Sequence, residues 1–276
     1  MDSTTKLKAH EAGIYYDANY GNFETELYSE IRRETFGEDL GQNSWLTADE
    51  QNRFLGWLDL SPGKVLLDIA CGSGGPVLRI AAKTGCSVVG IDVHEQAVSI
   101  ACSLAMQRGL SRRAEFRVMD AAQQLPFPEA SFDAITCIDA INHLPDRPRI
   151  ISEWTRLLKP GGLLLFTDPI VVTGALTNAE IAVRSSSGLY VFVPLGYNNR
   201  VIAECGLHLL ASDDVTRNMA EVAGRRQTAR ASRSSAVRGV EGDHTYERQQ
   251  EFLVTAARIA REGRLSRFLY VAKKIR

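Results

Sequence analysis

Three aspartates each close a short strand-like run: Asp68 after Val65-Leu66-Leu67, Asp92 after Val88-Val89-Gly90-Ile91, and Asp120 after Glu115-Phe116-Arg117-Val118-Met119. The first is followed at once by Cys71-Gly72-Ser73-Gly74-Gly75-Pro76. Glycines at Gly72, Gly74 and Gly75 can take positive φ and carry no Cβ, so the backbone can come within contact distance of a ligand laid across the strand end. A dinucleotide loop wants G-x-G-x-x-G with a pyrophosphate on the helix N-terminus. Here the spacing is G-x-G-G-P, with Pro76 fitted to the first helical turn and no third glycine. A carboxylate at Asp68 suits a cationic amino group better than a diphosphate. About 20 residues on, Asp92 is placed to accept hydrogen bonds from a ribose diol. Asp120 can accept from an adenine amine, with Met119 or Ala121 beside the ring. Ribose plus ammonium with no phosphate cradle describes S-adenosylmethionine.

The elements that must hold these acids read as alternating strand and helix. Unbroken apolar runs such as Val65-Leu66-Leu67 fit strands buried on both faces of a parallel sheet. Val77 to Thr84 and Gln96 to Gly109 read as crossover helices, the latter with Ala97, Val98, Ile100, Ala101, Leu104 and Ala105 mostly on one face. A fourth strand, Phe132 to Asp139, leads into Asn142-His143-Leu144-Pro145, and a fifth, Leu163 to Thr167, ends at Asp168-Pro169. Open α/β sheets take ligands beyond the carboxyl ends of their strands, where all three acids fall.

The ordered set D-x-A-C-G-S-G-G, G-I-D-V, M-D-A with L-P-F-P-E-A-S-F-D, and L-K-P-G-G-L-L-L-F-T-D, across roughly residues 60 to 170, resembles the class I S-adenosylmethionine-dependent methyltransferases. The likeness is to those acting on small molecules, the methyltransferase domain 11/25-like group. It implies an α/β, Rossmann-like seven-stranded sheet, mostly parallel with an antiparallel last strand, helices on both faces and a helical cap. The implied division is a helical lid over residues 1–60 and a methyltransferase domain over 61–276, with insertions near 170–200 and 216–264. Cofactor contacts carried over are Gln42, Asn43, Asp68, Ala70, Gly72, Gly74, Asp92, Val93, Met119, Asp120, Ala121 and Ile138.

Catalytic candidates are His143, Asp139 and Tyr16. His143 is either a general base or a pin between its loop and the following helix, and Tyr16 is either core packing or a contact to the sulfonium. Substrate candidates are Tyr20, Trp45, Asn142, Asp168, Tyr190 and Tyr197, where Asp168 either orients an acceptor or caps the next turn. Thr47 and Glu50 have the spacing of a capping box. Arg225, Arg226, Arg230, Arg233 and Arg238 form either a solvated helix face or a cap with an anion site. The activity implied is methyl transfer to a small molecule, with an amine favoured, as in methyltransferases of glycine derivatives and phosphobases. The alternatives are O- or C-methylation in a bacterial natural-product pathway, or a non-catalytic S-adenosylmethionine-binding subunit.

A net charge of −1 supplies no global field for nucleic acid, and no run reaches the roughly 18 apolar residues of a membrane span. The start lacks the apolar core of a signal peptide, so a cytoplasmic monomer or homodimer is expected. The five cysteines form no C-x-x-C pair and no metal spacing, so reduced thiols and no metal site are expected.

Overall fold

The computed structural model describes residues 20–186 and 188–275. Five parallel strands, β1 (Val65–Ile69), β2 (Ser87–Asp92), β3 (Ala114–Val118), β4 (Phe132–Ile138) and β5 (Leu158–Val172), form the body of one sheet. The sheet order is β3-β2-β1-β4-β5-β8-β7, with β7 (Leu207–Asp214) and β8 (Leu265–Lys274). The last strand is antiparallel to both β5 and β7, as the resemblance implied. A two-residue strand, β6 (Val193–Pro194), adds an eighth member beside β5.

Register places the first acid. Asp68 lies across from Gly90 on one side and from Thr136 on the other, at the point where the chain leaves β1 for β2 and later returns as β4 on the opposite side. That reversal opens a crevice beyond the strand ends, the usual place for a ligand in such sheets. Alternation along the strands feeds two apolar layers. Leu67, Ile135, Phe166 and Tyr270 face Trp154 of α5 (Arg147–Leu157) and Val201 of α7 (Tyr197–Glu204). Leu66, Val88, Leu165 and Val271 face Phe54 of α2 (Ala48–Leu55), Leu78 of α3 (Gly75–Thr84) and Val98 of α4 (Glu95–Gln107).

The fifth strand runs past the Asp168-Pro169 stop read from the sequence. Proline cannot donate to a ladder and is tolerated in a strand at a bulge. Pairing with β8 slips between Asp168 and Val171 and then resumes to Val172, opposite Leu265.

Before β1 lies α1 (Glu26–Phe36), which packs on α8 (Thr216–Ala231), α9 (Ser234–Glu241) and α10 (Asp243–Arg261). Ile31 meets Ala229, Val237 and Tyr246, while Phe36 and Trp45 meet Met219, Ala223 and Leu253. Arginines of this region are held by protein groups, Arg230 in a buried pair and Arg233 and Arg238 in exposed ones. Arg230 pairs with Glu241 at 2.7 Å, Arg233 with Glu34 at 2.6 Å, and Arg238 with Asp243 at 2.6 Å, while Arg225 donates to the Thr35 carbonyl. Between β5 and β6 sits α6 (Asn178–Arg184), whose start is fixed by a reciprocal capping box between Thr177 and Glu180. Among the described residues no helix is long and apolar enough to cross a membrane.

Candidate active site

A cavity of about 290 Å³ opens at the carboxyl ends of β1, β2 and β4. Its wall holds Asp68, Ala70, Gly72, Asp92, Val93, Met119, Asp120, Ala121 and Ile138, together with Gln42 and Asn43 from the segment ahead of α2. Ala70 and Asp139, on its rim, take φ of 56° without being glycine. Strained backbone of this kind persists where the surroundings over-determine it, and it clusters at functional sites.

Asp92 is anchored by its own loop. One carboxylate oxygen accepts from Gly72 N and the other from His94 N, each at 2.9 Å. Each oxygen keeps a further lone pair, which is what a diol requires. Asp68 accepts from the Thr136 hydroxyl at 2.6 Å, and burial pushes its carboxyl pKa up to about 7, with Asp92 adding to the rise against Thr136. A carboxylate so destabilised by desolvation gains strongly from a cation. Asp120 is exposed and takes Ala122 N at 2.8 Å. Asn43 Nδ2 is buried with no partner among the described residues, and it belongs to the same wall. An ammonium partner, a diol acceptor and an orphaned amide donor together fit S-adenosylmethionine. Gln42 lines the cavity but mainly folds its own loop, accepting from Leu40 N and donating to the carbonyls of Glu38 and Leu46.

The glycines divide by role, which corrects the reading that all three face a ligand. Only Gly72 lines the cavity. At Gly74, with φ of 74°, a Cβ would meet Ala101 at 2.7 Å and the Phe116 ring at 2.9 Å, and at Gly75 it would fall 1.6 Å from the Leu40 carbonyl oxygen. At Gly74 a side chain would therefore collide with α4 and β3.

His143 ends a 3-10 turn, Ile141–His143, and lines the cavity. Its Nδ1 lies 2.9 Å from the Leu189 carbonyl oxygen. A carbonyl only accepts, so Nδ1 carries the hydrogen and Nε2 is the basic nitrogen. Burial, opposed by that hydrogen bond and assisted by Arg184, lowers the pKa to about 4. The ring thus pins the Leu189 loop, rather than its own loop to the following helix, and this contact fixes the tautomer. Tyr190 packs edge-on at 4.6 Å.

Asp139 lines the cavity, but its carboxylate is occupied. It accepts from Arg267 Nε at 2.6 Å, Thr167 Oγ1 at 2.8 Å and Trp45 N at 2.8 Å, latching the Trp45 segment to β4 and β8. Asp168 is fully buried away from the cavity, paired with Arg147, bonded to Asn198 Nδ2 at 2.9 Å and capping Ile170 N, so of its two alternatives the turn cap stands. Trp45 stacks on Phe252 outside the cavity, and Tyr197 packs on the sheet core beside Arg200. Tyr190 and Asn142 stand behind His143 rather than in the wall, whereas Tyr20 is in it. Tyr16 lies outside the described residues. Ser44, His94, Thr136, Ala140 and Leu144 also line the cavity and were not singled out from the sequence. His94, two residues after Asp92, was within reach of the motif. Thr136 becomes visible only through strand register.

A family model described as "Methyltransferase domain" matches residues 67–166. The chain is 31% identical over 224 residues to 27-O-demethylrifamycin SV methyltransferase of Amycolatopsis mediterranei, covering 77% of this chain and 79% of that one. It is 40% identical over 126 residues to methyltransferase GfsG of Streptomyces halstedii, covering 46% and 45%. Among solved structures, the cyclopropane synthase MmaA2 of Mycobacterium tuberculosis shares the fold with a TM-score of 0.80 at 19% identity, covering 95% of this chain and 98% of the other.

Proposed function

The chain belongs to the class I S-adenosylmethionine-dependent methyltransferases acting on small molecules, and from that premise we propose that its acceptor is a hydroxyl group on a natural product. The observation that carries this is His143, in the cavity wall with Nδ1 hydrogen-bonded to Leu189 and its imidazole kept neutral by burial.

When bound, S-adenosylmethionine supplies an electrophilic methyl group and leaves as a neutral thioether. Asp68 is suited to pair with its ammonium and Asp92 to accept from its ribose diol. As the acceptor oxygen bonds to the methyl carbon and the carbon–sulfur bond breaks, the hydroxyl proton passes to His143 Nε2. A base of low pKa is adequate here, because an oxygen gaining a methyl group turns strongly acidic as the bond forms. The remaining rate enhancement rests on alignment in a dry site. Residues 20–45, α1 and the α8–α10 helices are proposed to form the cover that excludes water.

The amine favoured by the sequence loses its anchor. A free carboxylate beside the reacting centre would favour an ammonium acceptor, but Asp168 is buried against Arg147 and Asp139 shares Arg267 with Glu50. The rifamycin relative's name points the same way, since it acts on a hydroxyl of a natural product. The test is to offer 27-O-demethylrifamycin SV and other hydroxylated polyketides alongside sarcosine and phosphoethanolamine, and to follow methylated products by mass spectrometry. O-methylated product supports the proposal, and methylation of the amines alone overturns it.

A further inference from the structure

Arg184, the last residue of α6, is 1% exposed and makes no ion pair among the described residues. Its Nε and Nη1 have no hydrogen-bond partner among the described residues. The guanidinium instead lies over the Phe252 ring at 4.5 Å and the Trp45 ring at 5.9 Å. The other large buried arginines are all matched: Arg147 with Asp168, Arg267 with Glu50 and Asp139, Arg230 with Glu241. Burying an uncompensated charge is strongly unfavourable, and burial does pull the Arg184 pKa down, against the fields of Tyr190 and Asp139.

Its surroundings adjoin the cavity, whose wall Arg184 itself does not line. Trp45, whose ring it faces, is bonded through its backbone to Asp139 in the cavity wall. Arg184 is also close enough to His143 to disfavour its protonation. Asn142, adjacent to His143, is 1% exposed, and neither its Oδ1 nor its Nδ2 has a partner. Irregular backbone over residues 188–192 runs past both. It is fastened by Leu189 O to His143, by Val191 N to the Asn142 carbonyl at 2.8 Å, and by Val191 O to Arg147 at 2.8 Å. Two polar side chains unpaired among the described residues, beside one such stretch and next to the proposed base, mark a place that a polar ligand completes.

We infer that Arg184, with Asn142, receives a carboxylate carried by the acceptor beneath the 188–192 stretch, and so selects acidic acceptors. This rests on the methyltransferase reading above and adds a substrate class to it. A carboxylate is favoured over a phosphate because one planar guanidinium edge matches a planar carboxylate in two parallel hydrogen bonds, whereas a phosphate dianion calls for more than one cation. The aromatic faces of Trp45 and Phe252 hold the cation in place without competing for its N–H groups.

The test uses the full chain with S-adenosylhomocysteine present, titrated by calorimetry with 6-hydroxy-2-naphthoate and with its methyl ester. The wild type is expected to bind the acid at least tenfold more tightly than the ester. Arg184→Met should erase that preference while changing S-adenosylhomocysteine affinity less than twofold, and Arg184→Lys should keep part of it. Equal binding of acid and ester by the wild type, binding of neither at millimolar concentration, or an undiminished preference in Arg184→Met overturns the inference. The ligand-free melting temperature gives a separate reading: Arg184→Met should melt at or above wild type, and a fall of several degrees would mark Arg184 as structural. Because binding is read without turnover, a failure of hydroxyl methylation would leave this result standing.

Discussion

Arg267 Nη1 lies 2.7 and 2.8 Å from the two carboxylate oxygens of Glu50, and neither side chain has any exposure. The Nε of the same arginine reaches Asp139 at 2.6 Å. One guanidinium thus ties the start of α2, the end of β4 and the start of β8. Burial works against the Arg267 charge, but the fields of Asp139 and Glu50 outweigh it and hold its pKa above the ordinary range. The link explains why the capping box at Thr47 stays half made. Thr47 accepts from Glu50 N at 3.3 Å, while the Glu50 carboxylate turns to Arg267 and Asn218. Removing the shared cation leaves both buried carboxylates uncompensated, so Arg267→Met is expected to cost about 3–5 kcal/mol in urea unfolding. A loss under about 1 kcal/mol would show that the triad does not hold the fold together.

Asp68 makes a pH-dependent prediction. Its carboxyl titrates near 7 in the fold, against an ordinary 3.8. The folded state therefore binds this proton more tightly than the unfolded chain does. The stability Asp68 contributes is present below about pH 4 and declines as pH rises toward 7, by a few kcal/mol at most. Asp68→Asn should remove that decline, so the ligand-free variant should melt higher than wild type at pH 8 and about equally at pH 4. Cofactor affinity should fall in the variant, and in wild type it should weaken as pH drops below 7. A variant that melts lower at pH 8 contradicts the assignment.

For His143 the depressed pKa moves the expected inflection. A histidine titrating near 6.5 would bend the rate profile in the neutral range, but one near 4 stays in its basic form from pH 5.5 to 9. The profile of kcat should therefore be flat across that window and fall only in stronger acid. His143→Ala is expected to lower kcat by about 10²-fold or more with S-adenosylmethionine affinity nearly unchanged. The same burial carries a stability consequence. The folded state disfavours the imidazolium, so stability attributable to His143 is lost as pH falls from about 6.5 toward 4. A variant that keeps most of its rate per folded molecule would leave the ring only its pinning role.

Gly75 tests how the segment ahead of α2 reaches the cavity. A Cβ there would overlap the Leu40 carbonyl, next to Gly41, whose own carbonyl accepts from Ser73 Oγ at 2.6 Å. Gly75→Ala should displace residues 38–46, and with them Gln42 and Asn43. The expected loss is about 1–3 kcal/mol of stability and at least a tenfold weakening of cofactor binding. Hydrogen exchange should show residues 20–45 gaining protection on cofactor binding in wild type and not in the variant. Equal protection in both would separate this segment from the cofactor.

By itself the sequence determined the sheet and the crevice at its strand ends, because those depend on local signals. Apolar runs ending in Asp68, Asp92 and Asp120 and a glycine-rich turn each declare themselves within a few residues, and order along the chain then fixes the strand ends they share. What tertiary structure decided is which polar groups stay available. Asp139 and Asp168 look as ready for chemistry in sequence as Asp68 does. Yet Arg267 lies 128 residues from Asp139, and Arg147 lies 21 residues from Asp168, and only folding brings each pair together. Arg184 shows the converse: it reads as one more arginine at a helix end, and only the packing of Trp45 and Phe252 around it leaves a buried cation without a carboxylate. Spacing along a chain fixes backbone proximity, but neutralisation of a buried charge is settled by contacts distant in sequence, which no local pattern encodes.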